Sequence, residues 1–163
     1  MKAQELMTPD PACCTPDDRA ERVAQLMEDN DCGCIPVVAS QNDSRVVGVV
    51  TDRDIAVRGV AKGKGPDTRV RELMTVDPYC CSVDDDVKDV ERVMAERQVR
   101  RVVVVNAGRR CVGVIAQADL ARAADRRREV TDLEVARIIE RISEPAPGRA
   151  AETTRQDPPE LRL

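Results

Sequence analysis

The sequence predicts an α/β (α+β) fold built from a tandem β-α-β-β-α unit, and three observations predict it. The segment Glu5-Leu6-Met7-Thr8 returns as Glu72-Leu73-Met74-Thr75 at an offset of 67. The same offset pairs Pro11 with Pro78, Cys13-Cys14 with Cys80-Cys81, Asp17-Asp18 with Asp84-Asp85, Val23 with Val90 and Met27 with Met94. After a two-residue contraction the offset becomes 65, pairing Val47-Gly48-Val49 with Val112-Gly113-Val114 and Asp54 with Asp119. Internal repetition on this scale means that one structural unit is used twice.

Each copy opens on a short helical turn ending in Met-Thr, followed by an extended, Pro-punctuated piece carrying the paired cysteines. A helix comes next, opened by Thr15-Pro16-Asp17-Asp18 or Ser82-Val83-Asp84-Asp85. These read as a hydroxyl N-cap with acids in the first turn, where the helix dipole favours them. Ala20, Val23, Ala24 and Met27 in the first copy, and Val87, Val90 and Met94 in the second, recur at helical spacing and predict one buried face per helix. Two apolar strands follow in each copy, 35–39 and 46–50, then 102–105 and 111–115. They are joined by turn-forming loops at 40–44 and 106–109. A last helix starts after each Gly-apolar-apolar strand. Units of this size bury too little apolar surface alone, so the copies are expected to pack together about a pseudo-twofold axis. The expected divisions are 1–66, 67–125, a C-terminal helix over 126–143 opened at Thr131, and a disordered tail over 144–163 with four prolines and little apolar content.

Composition narrows the function. The 163 residues carry 26 basic and 30 acidic side chains, a net charge of −4, and Tyr79 is the single aromatic residue. A general nucleic-acid binder needs a basic surplus and stacking platforms, so no nucleic-acid partner is expected. No apolar run approaches the ~20 residues of a membrane span and the N-terminus lacks a signal pattern, so a cytoplasmic protein without a membrane partner is expected. With no histidine and no Cys/His or Ser/His arrangement, no catalytic set is evident.

The segment Gly48-Val49-Val50-Thr51-Asp52-Arg53-Asp54-Ile55 carries the strongest chemical signal. A strand that ends at a helix N-terminus leaves backbone N–H groups converging on one spot that suits phosphate. Asp54, a turn further on, could accept from a ribose hydroxyl. Thr51-x-x-Asp54 is equally a capping box. The segment recurs as Gly113-Val114-Ile115-Ala116-Gln117-Ala118-Asp119-Leu120, where Ala116 replaces the hydroxyl and Asp119 remains.

The duplicated Leu-Met-Thr openings, the Ile35-Pro36-Val37-Val38 strand and the two Gly-to-Asp segments make residues 1 to about 125 resemble a pair of CBS domains, the arrangement called a Bateman module. Thr51-Asp52-Arg53-Asp54-Ile55 followed by Gly59 and Lys62-Gly63, with Gln98-Val99-Arg100-Arg101-Val102, resembles the small bacterial stand-alone CBS-pair proteins. The resemblance implies a non-catalytic sensor or regulatory module with no obligatory cofactor. It implies an adenine nucleotide or S-adenosylmethionine as regulatory ligand in the cleft between copies, a homodimer, and an unknown downstream protein. Carried over by position, Thr51 meets phosphate, Asp54 the ribose, and Cys14, Thr15, Cys34, Ile35 and Pro36 wall the base. Arg53 is a further phosphate contact or a solvated helix-start arginine, and Asp119 belongs to a second site. Arg100 and Arg101 either fill that second base pocket or reach the first site's phosphates. The rival reading uses the Cys13/Cys14/Cys32/Cys34 thiols for a metal or a redox response; buried apolar cysteines are the plainer account.

Overall fold

The computed structural model describes residues 1–127 and 132–143. The tail at 144–163 and the expected cap at Thr131 lie outside these. The chain runs α1 (Ala3–Leu6), β1 (Thr8–Pro9), α2 (Ala20–Asp29), β2 (Cys34–Ser40), β3 (Asp43–Thr51) and α3 (Asp52–Asp54), which continues into a wide π-type turn at Ile55–Gly59. The second copy follows with β4 (Thr75–Val76), β5 (Cys80–Ser82), α4 (Val87–Arg97), β6 (Arg101–Val105), β7 (Cys111–Ala116) and α5 (Gln117–Arg127), and then α6 (Asp132–Ser143).

The strands form two sheets, ordered β1-β7-β6-β5 and β2-β3-β4. Both mix origins, because each copy's opening strand joins the other copy's sheet. Thr8 and Pro9 pair antiparallel with Val114 and Gly113, and Thr75 and Val76 pair with Val49 and Gly48. The two registers are related by the same offsets of 67 (Thr8 to Thr75) and 65 (Val49 to Val114) seen in the sequence, so the pseudo-twofold relation holds at the level of individual hydrogen bonds.

The exchange extends to the helix openings. Ala3 N–H donates to Asp85 O at 2.9 Å and Val87 N–H to Met1 O at 3.0 Å; their counterparts run from Val70 N–H to Asp18 O at 2.9 Å and from Ala20 N–H to Thr68 O at 2.8 Å. These bonds displace the expected start of α2. Asp18 Oδ2 accepts from Thr15 N–H at 2.7 Å and from its hydroxyl at 3.1 Å, so Thr15-Asp18 closes a turn before the helix. The N-cap position is Arg19, with no side-chain cap. In the second copy the Asp86 carboxylate, not Ser82, caps the helix, accepting from Lys88 N–H at 3.0 Å.

Two apolar cores result. One joins Cys14, Ala20, Val23, Met27, Ile35, Val37 and Val50 to Val70 and Leu73 of the second copy's opening. The other joins Cys81, Val87, Val90, Met94, Val102, Val104, Ile115 and Leu120 to Ala3. Each fully buried Val or Leu is worth about 1.5–3 kcal/mol, so neither half is complete without the other's opening segment. The C-terminal helix α6 packs on α4 and α5, held in part by Gln98 Nε2 donating to Arg141 O at 2.9 Å.

Candidate functional site

The Gly-apolar-apolar strands meet their helices as expected. Gly48 and Gly113 are required by the exchanged segments that cross them. A Cβ on Gly48 would lie 2.8 Å from Met74 Sδ and 3.0 Å from Thr75 O, and one on Gly113 would lie 2.8 Å from Met7 Cγ. The two sequence signals that define the repeat, Leu-Met-Thr and Gly-apolar-apolar, are therefore each other's contacts across the copies.

At the end of β3 the capping box is fully formed. Asp54 Oδ2 accepts from Thr51 N–H at 2.9 Å and from Thr51 Oγ1 at 2.7 Å, and Asp54 N–H donates to Thr51 Oγ1 at 3.1 Å. Asp52 N–H donates to Gly33 O at 3.2 Å and Arg53 N–H to Asp52 Oδ1 at 2.7 Å. Every N–H of this helix start is thus taken by the protein, and Asp54 Oδ1 faces Arg58 Nε at 3.5 Å.

The second copy is more open. Asp119 Oδ2 accepts from Ala116 N–H at 2.8 Å and Gln117 N–H donates to Arg100 O at 2.9 Å, while Arg122 pairs with Asp119 Oδ1. Alanine offers nothing to Asp119 N–H, the group whose counterpart is capped by Thr51.

A cleft of about 420 Å³ opens here. The second copy lines it with Arg101, Val114, Ala116, Asp119 and Arg122, and the first copy with two segments, Thr8 to Ala12 and Asn30 to Cys32 with Cys34 and Ile35. Of the residues singled out in the sequence, Cys34, Ile35 and Asp119 line this cleft; Thr51, Arg53, Asp54, Cys14, Thr15 and Pro36 do not. Arg101 spans the copies, since a Cβ on Gly33 would lie 3.4 Å from its Nη2 and 2.6 Å from Asp52 Oδ2. Arg122 and the Thr8–Ala12 wall escaped the sequence reading. Arg122 stands one helical turn beyond Asp119, a spacing that could have singled it out.

Burial pushes the Cys14 and Cys34 thiols up to about 12, so both are neutral small apolar groups at physiological pH. Among the described residues no group of three Cys, Asp or Glu is arranged to hold a metal ion. Cys13 contacts Cys111 of the other copy, outside the set that the thiol reading assembled.

The family model for the CBS domain matches this chain twice, at residues 3–59 and 70–126. The chain belongs to the CBS-domain family and is a tandem CBS pair. Hypoxic response protein 1 of Mycobacterium tuberculosis is 34% identical over 121 residues, 74% of this chain and 82% of that protein. A crystal structure of Hypoxic Response Protein I with two coordinated zinc ions is similar at a TM-score of 0.67 and 32% identity, covering 75% of this chain and 98% of that one. The CBS domain protein PAE2072 from Pyrobaculum aerophilum, complexed with AMP, is similar at a TM-score of 0.70 and 25% identity, covering 85% and 98%.

Proposed function

We propose that this chain is a non-catalytic regulatory module that binds an adenosine-containing ligand, an adenine nucleotide or S-adenosylmethionine, in the cleft between its two CBS domains. The observation that carries the reading is the cleft at Ala116 and Asp119. Its volume of about 420 Å³ lies in the range of small-ligand sites, and its polar groups are the ones such a ligand needs. The Asp119 carboxylate can accept from ribose hydroxyls, the open N-terminus of α5 and Arg101 can receive a phosphate or a carboxylate, and Ile35 and Cys34 offer an apolar wall to a base. The AMP-bound relative supports the ligand class. Applying the repeat offsets to this lining gives a counterpart at Thr51 and Asp54 whose walls come from the second copy, with Arg101 between the two.

A thermal-shift screen with AMP, ADP, ATP, NAD and S-adenosylmethionine tests the proposal, since a ligand that binds only the folded chain raises its melting temperature by mass action. A shift with at least one adenosine compound, lost in Asp119→Ala, is expected. No shift with any of them at millimolar concentration, or a shift with zinc alone, would overturn it.

A further inference from the structure

Cys14, Cys34 and Cys81 are buried within the cores, and burial holds each thiol near a pKa of about 12. Cys13 and Cys111 differ. The register of β1 on β7 sets Thr8 opposite Val114 and Pro9 opposite Gly113, and Asp10 N–H extends it by donating to Val112 O at 3.2 Å. The chain therefore enters its next turn alongside Cys111, and Cys13 Sγ turns back to donate to Pro11 O at 3.3 Å, which sets its thiol beside that of Cys111, close enough for each to shift the other's pKa. Both residues are half-buried, within reach of small solutes.

This contact breaks the symmetry of the repeat. Cys13 has a counterpart in Cys80, but Cys111 corresponds to Val46, so the pairing exists at one end of the molecule only. The local turn is shared, since Cys13 donates to Pro11 O at 3.3 Å and Cys80 to Pro78 O at 3.5 Å; what differs is the thiol opposite. Because no third ligand completes a metal site among the described residues, two adjoining thiols have oxidation to a disulfide as their available chemistry.

We propose that Cys13 and Cys111 form a redox couple whose disulfide fastens the opening segment of the first copy to the last strand of the second, fixing the Thr8–Ala12 wall of the cleft at both ends. The oxidant is a small-molecule disulfide of the glutathione type. The Cys13 thiolate attacks one of its sulfurs, forming a mixed disulfide and releasing one thiolate; Cys111 loses its proton to solvent and attacks the Cys13 sulfur, releasing the second. Two protein thiols are oxidised by two electrons and one external disulfide is reduced to two thiols. The adjoining Cys111 thiol holds Cys13 below the ordinary thiol value, which makes Cys13 the attacking group. The inference stands apart from the identity of any cleft ligand, because nothing in the step involves one.

The full chain is incubated in glutathione buffers of graded ratio, its free thiols are alkylated, and intact mass and non-reducing peptide mapping are read, with fragmentation separating Cys13 from Cys14. Seven free thiols in the reduced chain are expected to fall by two in the oxidising buffers, with a Cys13–Cys111 link. Cys80→Ser should lose two thiols as well, while Cys13→Ser and Cys111→Ser lose none. A link through Cys14 or Cys80, a disulfide between chains, or all thiols remaining free at the most oxidising ratio would overturn the assignment. The map of the wild-type chain decides these outcomes even if a serine variant fails to fold.

Discussion

Gly113→Ala is expected to destabilise the chain although it adds one methyl group at a backbone position that tolerates L residues. Elsewhere such a change stabilises by about 0.4–1 kcal/mol through the unfolded state. Here the new Cβ would lie 2.8 Å from Met7 Cγ and 3.0 Å from Met7 Cβ, below ordinary contact. Met7 must move, and with it the helix that brings Ala3 into the second core. Overpacking of this kind costs about 1–3 kcal/mol, so the net loss should be about 1–2 kcal/mol.

Met7→Ala removes Cγ and Sδ and leaves only the 3.0 Å contact. The double variant should therefore be more stable than the sum of the single effects by about 1 kcal/mol, within the range for residues in contact. At Gly48 the obstruction includes Thr75 O, a backbone atom at 3.0 Å in the β3–β4 register. Gly48→Ala should be relieved less by Met74→Ala. Urea unfolding of the four variants of each cycle measures these couplings, with Gly65→Ala, whose Cβ meets nothing within 4 Å, as the unobstructed control that should show no loss. Gly113→Ala as stable as wild type, or no coupling to Met7→Ala, would refute the argument that the copies are held by exchanged openings.

Asp119→Ala should weaken adenosine-ligand binding in calorimetric titrations at least as strongly as Asp54→Ala, because Asp119 lines the open cleft and its Oδ2 accepts from a single N–H, whereas Asp54 Oδ2 accepts from both the N–H and the hydroxyl of Thr51; a loss confined to Asp54→Ala would locate the ligand in the first copy's counterpart instead. Ala116→Thr should supply Asp119 N–H with the hydroxyl that Asp54 N–H already has, raising stability by about 1 kcal/mol while weakening binding at the α5 N-terminus; tighter binding in the same titration would show that the hydroxyl is a ligand group. Cys14, Cys34 and Cys81 have folded-state values raised from 9.0 to about 12, so the stability they confer is present below pH 9 and is lost as the pH climbs from 9 through 12. The urea midpoint should fall across that window and fall less in a variant with all three changed to alanine.

Much of this architecture was readable because its determinants are local. The valine runs of β2, β3, β6 and β7 alternate or stay apolar over several residues, and the repeat offsets align them without any structural input. The strand exchange was not readable. Thr8–Pro9 and Thr75–Val76 are two residues long, too short to show a period, and their partners stand in the other copy. The same distant contacts misled the reading of the helix starts: Thr15-x-x-Asp18 matches a cap pattern, but the Asp18 and Pro16 carbonyls accept from Val70 and Arg71 N–H, which holds those residues in a turn and delays α2 until Ala20.

The site is only partly local. The sequence sets Cys34 and Ile35 beside Thr51 and Asp54, and the β2–β3 register pairs Cys34 with Thr51; the fold also brings both to the cleft with Ala116 and Asp119 of the other copy, a neighbourhood that no local spacing announces. Arg101, expected either to fill the second pocket or to reach toward the first site, lines the cleft and also reaches across to Gly33. That crossing bears on how such a module would signal. A ligand seated against Asp119 and Ile35 touches both copies, and the same two copies are joined through β1 on β7 and β4 on β3. Binding therefore cannot tighten the cleft without acting on the exchanged strands, and any change in their pairing alters the cleft. Gly113→Ala and its rescue by Met7→Ala thus have a second readout: if the copies communicate through this contact, ligand affinity should fall and recover in step with stability, whereas a cleft insensitive to both changes would confine the exchange to holding the fold.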